Sequence, residues 1–498
     1  MKVQRSKMKS GFNFKNISTG IQVALPLGAA ALGLSDHYTA AGVVGSLAVA
    51  DSYLRYGQKK HTILQNFGLF GGLRYALESL GPELRQYFFA SDTEERPFSR
   101  RIRSYVYRLA KNEPIKTVAF GTLEDLVDRP MILQSLFPKS SKDVEPFSLT
   151  FGEERNLSTS YTITHPVMIS GMSYGALGDR AVRALSKGAK IAGVPMSTGE
   201  GGLSEYHLSG GCDIIYQMGT AKFGVANSDQ SLNDDKLREI ASNNNVKMIE
   251  IKFSQGAKPG AGGFLPKEKV TPKLAKTRGI PLGQDVISPP RQIECDNYEN
   301  TIKFIDRVQR VSGLPTGIKM CYGRDDEFQG LVDEMTRQGV FPDYIAIDGA
   351  EGGTGAAPQD FIDDVGMPIA VGLKRADYIL KNKGVRNRTK IIASGKLVTP
   401  AEQFKALAEG ADAVYTGRGP LLALGCIQAL ECNKGTCPTG ITTHDEHLQR
   451  GLDVDVKGQR VGNYFNNIRS GLDHLLMATG KRSYRELSQE DVYDPKNS

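Results

Sequence analysis

From Pro166 onward the chain repeats one unit: a short apolar run, a glycine-rich loop, then an amphipathic stretch. This alternation limits the fold more than any other feature of the sequence. The runs PVMIS, KMIEIK, TGIKMC, DYIAID, KIIAS and ADAVYTG are apolar or β-branched, while ALGDRAVRALSKGAKIAG and AEQFKALAEG have helical periodicity. Short apolar strands alternating with helices make a parallel sheet with crossover connections. Periodicity alone fits a doubly wound sheet or a (β/α)8 barrel. Conspicuous residues at many successive strand ends favour the barrel, whose C-terminal loops all face one site.

Several of those strand ends carry residues with a chemical use. Lys319 closes the apolar run TGIKMC; buried there it needs an anionic partner, the alternative being an ammonium that reaches solvent at the strand mouth. KIIASGK (390–396) and VYTGRG (414–419) each follow a late strand with a turn that exposes backbone N–H groups. Late loops of a barrel commonly form a phosphate site, so Ser394, Gly395, Gly417 and Arg418 are candidates; the plainer alternative is two tight turns. Further on, GCIQALECNKGTCPTG holds Cys426, Cys432 and Cys437, half of the six cysteines in the chain, spaced C-x5-C-x4-C. Clustered thiolates hold iron or zinc. Zinc prefers C-x2-4-C pairs and a fourth ligand, so three thiolates suit an iron–sulfur cluster with an incomplete corner. A helix with two buried free cysteines and a third at its end is the alternative.

With 498 residues and 40% hydrophobic content the chain can bury a large core. Its net charge of +7 owes much to Lys2, Arg5, Lys7, Lys9 and Lys15, which precede the first acid at Asp36. The remainder is close to balanced, which argues against a nucleic-acid partner. The cysteines form no regular disulfide framework, which favours a reducing compartment. Two uncharged runs, Thr19 to Ser35 and Tyr38 to Ala50, flank Asp36 and His37. Each is shorter than the ~20 residues that span a bilayer, and basic residues lie on both outer flanks. That pattern fits a hairpin with both ends in the cytoplasm, anchoring the protein to the inner face of the membrane; a buried Ala/Gly-rich helical pair is the alternative. The organisation expected is a basic leader (1–18), an apolar helical hairpin with possible membrane contact (19–54), a helical collar and connecting segment (55–150), the barrel (151–480) and a polar tail (481–498).

The cysteine run C-I-x-A-x-x-C-x-x-x-x-C-P-T-G, just after a glycine-rich barrel loop, resembles the 3Fe-4S loop of glutamate synthase. The likeness continues through GMSYGAL (171–177), STGEGG (197–202), IKFSQGAKPGAGG (251–263), ISPP (287–290) and DGAEGGTGAAP (348–358), in the family's order over roughly residues 150–480. The chain is similar to the short, single-domain members of the FMN-binding glutamate synthase family. The resemblance implies a (β/α)8 TIM barrel binding FMN. It assigns Ser173, Gln217 and Lys319 to the isoalloxazine, Lys319 near N1/O2, where positive charge favours the reduced ring. Gly349, Gly353 and Thr354 lie in a loop that lets backbone approach a flat ligand. Ser394, Gly395, Gly417 and Arg418 take the FMN phosphate, and Cys426, Cys432 and Cys437 the 3Fe-4S cluster. Glu200, Lys252, Gln255 and Lys258 are the catalytic candidates, three of them matching positions that line the 2-oxoglutarate and iminoglutarate site.

The implied reaction reduces 2-iminoglutarate, formed from 2-oxoglutarate and ammonia, to L-glutamate, with electrons arriving through the cluster. Neither a glutaminase module nor a GxGxxG dinucleotide fold accompanies the barrel in this sequence, so a separate electron donor (a ferredoxin or a flavin reductase subunit) and a separate glutaminase are expected partners. One departure stands out. Phe264 occupies the place where large glutamate synthases usually have Gln, which removes a hydrogen-bonding group and leaves room for another 2-oxo, 2-hydroxy or amino acid as substrate. A membrane-tethered, non-catalytic subunit is the third alternative, though such a subunit has no need of Lys252, Lys258, Lys319 or the cluster cysteines.

Overall fold

The computed structural model describes residues 14–113, 118–254, 256–265, 267, 270–355 and 357–495. The chain divides into two compact units, Met1–Arg100 and Arg101–Ser498. In the second, eight strands close a barrel: β1 (Val167–Ile169), β2 (Met196–Ser197), β3 (Ile214–Met218), β4 (Val246–Lys252), β5 (Thr316–Cys321), β6 (Tyr344–Asp348), β7 (Lys390–Ser394) and β8 (Ala413–Thr416). Every pairing is parallel and between sequence neighbours, and β8 returns to β1 to complete the ring. The strands are buried almost throughout because helices cover the outside and side chains fill the inside. Six of the eight match apolar runs legible in the sequence. β2 has only two residues, too short for periodicity to register.

The helices carry the expected end signals. Thr399 caps Pro400–Ala408 in a capping box with Glu402, and Pro400 takes the first turn, where its missing N–H costs nothing. The long helix Val454–Ala478 starts well before the stretch GLDHLLMATG and packs across Asp179–Ala192. Gly188 allows that close crossing: a Cβ there would come within 2.7 Å of the Gly458 carbonyl oxygen. Within the stretch expected as a polar tail, Val492–Tyr493 pairs antiparallel with Met131–Ile132.

In the first unit, α1 (Phe14–Leu34) and α2 (Tyr38–Ser52) form an antiparallel hairpin, followed by α3 (Thr62–Leu84). Burial in the hairpin is inverted. Among the described side chains of α1 and α2 only Ser18 and Asp51 are buried, while Val23, Leu27, Leu34, Val43, Leu47 and Val49 are exposed. Asp51 pairs with Arg55 at 2.6 Å, and Arg55 also donates to the carbonyl and hydroxyl of Ser18 and to the Asn66 carbonyl. Gly68, at φ +57°, bends α3 so that the Leu69 N–H reaches Asp51 at 2.7 Å. One ion pair thus ties all three helices. Ile17–Leu34 has the length and apolarity to cross a membrane.

Candidate active site

The C-terminal ends of the barrel strands bring together most of the residues singled out in the sequence. Lys252 ends β4, and its Nζ lies 2.9 Å from Oε2 of Glu200, in the loop after β2. The Glu200 carboxylate fits only because residue 219 is glycine: a Cβ there would stand 2.7 Å from the Glu200 Cβ. Lys252 holds the Glu200 carboxyl below its usual range against the opposing effect of burial, helped by Lys258 and Arg278. Burial lowers the affinity of both Lys258 and Arg278 for their protons, and Glu200 counteracts it. A cavity opens here, lined by Glu200, Thr220, Lys252, Ser254, Lys258 and Ser288. Three cations therefore surround one carboxylate. The sequence reading missed Arg278, which ends the short helix Pro272–Arg278 inside the excursion between β4 and β5. Its Nε is buried and has no hydrogen-bond partner among the described residues. Gln255 lies outside the described residues.

Beside this cavity, Lys319 on β5 is buried in the barrel mouth, 3.3 Å from the Ser170 hydroxyl and 3.8 Å from Oδ2 of Asp348. Its ammonium sits 5.6 Å from the ring centre of Tyr415. The anionic partner that a buried lysine requires is thus Asp348, whose Oδ2 also accepts from the Gly256 N–H at 3.0 Å. Ser173 occupies the loop after β1, packed so closely that a Cβ on Gly201 would stand 2.7 Å from its own Cβ. Gln217 on β3 is buried and donates through Nε2 to Glu250.

Gly349 and Gly353 lie in the loop after β6, where Thr354 is half-buried. The Gly349 N–H donates to the Ser394 carbonyl at 2.8 Å, which joins this loop to the end of β7. Gly395 follows at φ +142°, a conformation that strains other residues. Gly417 precedes the helix Arg418–Leu424, and among the described residues only the Ser170 Cβ, 3.7 Å away, approaches where its side chain would be. The Arg418 side chain runs to the glycine loop: its guanidinium donates to the Glu351 carbonyl and lies about a van der Waals contact from Gly353. This carries Arg418 to the 351–353 loop as well as to the end of β8.

The three cysteines fall in the loop after that helix. Cys437 is buried, Cys426 half-buried and Cys432 exposed. Burial, with the two other thiols adding to it, pushes the Cys426 thiol up to about 11. Cys437 lies below its usual value: burial opposes this, but the Thr439 hydroxyl and the N–H groups of Thr442 and Ile441 prevail. Tyr107 donates to the Cys426 carbonyl at 2.6 Å and Arg103, one helical turn earlier, to the Ile427 carbonyl. A Cβ on Gly355 would come 2.9 Å from the Cys432 Cβ, so the glycine loop abuts the cysteine loop. Among the described residues no group of three His, Cys, Asp or Glu side chains is already arranged around a metal position.

Comparison with known proteins gives one direction. Residues 127–482 match the model described as a conserved region in glutamate synthase. A glutamate synthase large subunit-like protein of Bacillus subtilis is 38% identical over 476 residues, 87% of this chain and 90% of that protein. An archaeal glutamate synthase (NADPH) of Archaeoglobus fulgidus is 35% identical over 349 residues, 70% of this chain, and the match spans 65% of that protein's length.

Proposed function

The chain belongs to the glutamate synthase family, and from that premise we propose that it is an FMN-dependent oxidoreductase forming L-glutamate from 2-oxoglutarate and ammonia. The observation that carries the substrate half is the cluster of Lys252, Lys258 and Arg278 about Glu200. Three cations against one carboxylate leave a positive cavity suited to a dicarboxylate. Lys258 and Arg278 would bind and orient the carboxylates, Arg278 with an Nε that has no hydrogen-bond partner among the described residues. Glu200, kept ionised by Lys252, is a poor proton acceptor; it would instead accept a hydrogen bond from the incoming nitrogen and fix its position.

The barrel mouth fits FMN. Ser173, Gln217 and Lys319 would line the ring, the loop holding Gly349, Gly353 and Thr354 would lie along it, and Ser394, Gly395, Gly417 and Arg418 would surround the phosphate. Bound there, FMN would supply the hydride that reduces the imine carbon. Lys319 would hold positive charge beside the ring, and Asp348 would keep that ammonium in place. Cys426, Cys432 and Cys437 share one loop against the glycine loop, which supports their holding a 3Fe-4S cluster. Such a cluster would pass in electrons from a separate donor, a ferredoxin or a flavin reductase subunit. We also propose that the α1–α2 hairpin rests in a bilayer at the inner face of the membrane, since Val23, Leu27, Val43, Leu47 and Val49 are exposed while the side chains it buries are Ser18 and Asp51. Flotation with anionic vesicles, abolished by removing residues 1–54, tests this; a chain that stays at the bottom of the gradient refutes it.

The test of the activity is anaerobic reconstitution with FMN, iron and sulfide, then assay with ammonia, 2-oxoglutarate and a chemical reductant. Glutamate formation that needs bound FMN supports the proposal. Phe264 favours a second reading, an FMN oxidoreductase for another 2-oxo, 2-hydroxy or amino acid. Turnover of such a compound without any glutamate would select it, and a chain that takes up no flavin would sink both.

A further inference from the structure

Glu250 has no place in the chemistry described above, yet it is a fully buried acid in the barrel interior. It lies on β4 two residues before Lys252, so its side chain points the same way one layer deeper. It is fully buried, and none of the described ion pairs involves it. Among the described hydrogen bonds its two oxygens accept from neutral donors, Oε1 from Gln217 Nε2 at 2.5 Å and Oε2 from the Tyr415 hydroxyl at 2.9 Å, and the neutral Tyr344 hydroxyl lies against it as well. A carboxylate buried among neutral groups is expensive, and an apolar side chain would serve packing better.

The carboxylate is placed against an amide. Gln217 is its direct neighbour in the β3–β4 register. Glu250 Oε1 takes the NH2 end of Gln217, so the carbonyl end of the amide is turned away from it. The amide is pinned against backbone: a Cβ on Gly171 would stand 2.9 Å from Gln217 Oε1 and 3.0 Å from Nε2. Gly171 opens the loop that carries Ser173. Thr198 fixes the Gln217 main chain at 3.0 Å. None of the described hydrogen bonds supplies a donor to Gln217 Oε1.

We propose that Glu250 is a positioning residue that sets Gln217 with its carbonyl oxygen toward the barrel mouth, where it accepts a hydrogen bond from the imide N3–H of the flavin. The inference rests on the FMN reading above and adds to it a defined acceptor and the group that enforces it. A flat ligand whose edge offers only acceptors would be refused here, because it would leave the Gln217 oxygen buried and unpaired.

The experiment is NMR of 15N-labelled FMN bound to the full chain, read at N3, with FMN dissociation constants from fluorescence titration. The wild type should show the N3–H signal of a hydrogen-bonded, solvent-protected group. In Glu250→Gln the partner amide can present either end, so Gln217 loses its fixed orientation. The signal should move toward its free-FMN position, and the dissociation constant should rise roughly 2- to 10-fold, the worth of one hydrogen bond. Tyr415→Phe removes the Tyr415 donor to Glu250 but leaves Gln217 held, so the N3–H signal should stay. Should Glu250→Gln fail to fold, Gln217→Met carries the same expected loss of signal. An unchanged N3–H signal in either folded variant overturns the proposal, as does a Tyr415→Phe that shifts it equally. A wild type that binds no FMN overturns the cofactor reading itself, a result that cannot be confused with the others.

Discussion

Replacing Lys252 by Met should destabilise the protein in a way that depends on pH, because it removes the main partner of Glu200. The pair is separated by 2.9 Å, with the lysine side chain 8% exposed and the glutamate side chain 42%. At that distance two unit charges attract by about 1.4 kcal/mol in water and about 6 kcal/mol at an effective dielectric of ~20. The half-open glutamate keeps the true value near the lower end, and Lys258 and Arg278 remain to hold part of the charge. The expected loss at pH 7 is therefore about 1–3 kcal/mol. Lys252 depresses the Glu200 carboxyl in the folded state, so its contribution is fully present above the unfolded carboxyl value of about 4.3 and is lost as pH falls below it. Urea unfolding of the wild type and Lys252→Met between pH 7 and about pH 3 should show a gap that is steady down to the unfolded carboxyl value and narrows below it. In a double-mutant cycle, Lys252→Met should cost much less on a Glu200→Gln background. A gap that stays constant with pH, or no gap at pH 7, would refute the electrostatic account.

Other perturbations probe the neighbouring sites. Lys319→Met should weaken FMN binding roughly tenfold, the effect of about 1.4 kcal/mol, and lower the flavin midpoint potential, both measurable by titration of the reconstituted protein. Cys432→Ser should abolish iron retention while FMN content stays at the wild-type level; iron that survives the change would remove this residue from the cluster. Gly219→Ala should push the Glu200 carboxylate out of place, costing about 1–3 kcal/mol of stability and weakening 2-oxoglutarate binding in calorimetry. Asp51→Asn should loosen the three-helix knot in the first unit, seen as faster proteolysis between α2 and α3, because Arg55 is left buried beside a neutral amide.

Much of the barrel was legible because parallel strands buried on both faces read as unbroken apolar runs, and six such runs stand out after Pro166. The two others escaped for different reasons. Met196–Ser197 has no length for a pattern, and Ile214–Met218 carries Tyr216 and Gln217, which dilute its apolar signal. The hairpin was legible as two uncharged runs, but nothing in their composition reveals that the side chains turned inward are Ser18 and Asp51. That inversion depends on which residues the packed helices present to each other, and long-range pairing has no local signature.

The site divides along the same physical line. Lys252, Lys258 and Lys319 could be singled out because a charge at the mouth of an apolar strand is anomalous wherever the chain folds. Arg278 and Glu250 could not, since one ends an ordinary-looking polar helix and the other alternates with apolar neighbours like any half-buried strand residue. The site rests on pairings across 52 to 165 residues of sequence, such as Glu200 against Lys252 and Glu250 against Tyr415. Within the barrel those pairings place a cationic cavity and an amide of fixed orientation side by side at the strand ends. A dicarboxylate needs the first and a flavin edge the second, so their adjacency is what hydride transfer between two bound partners would require.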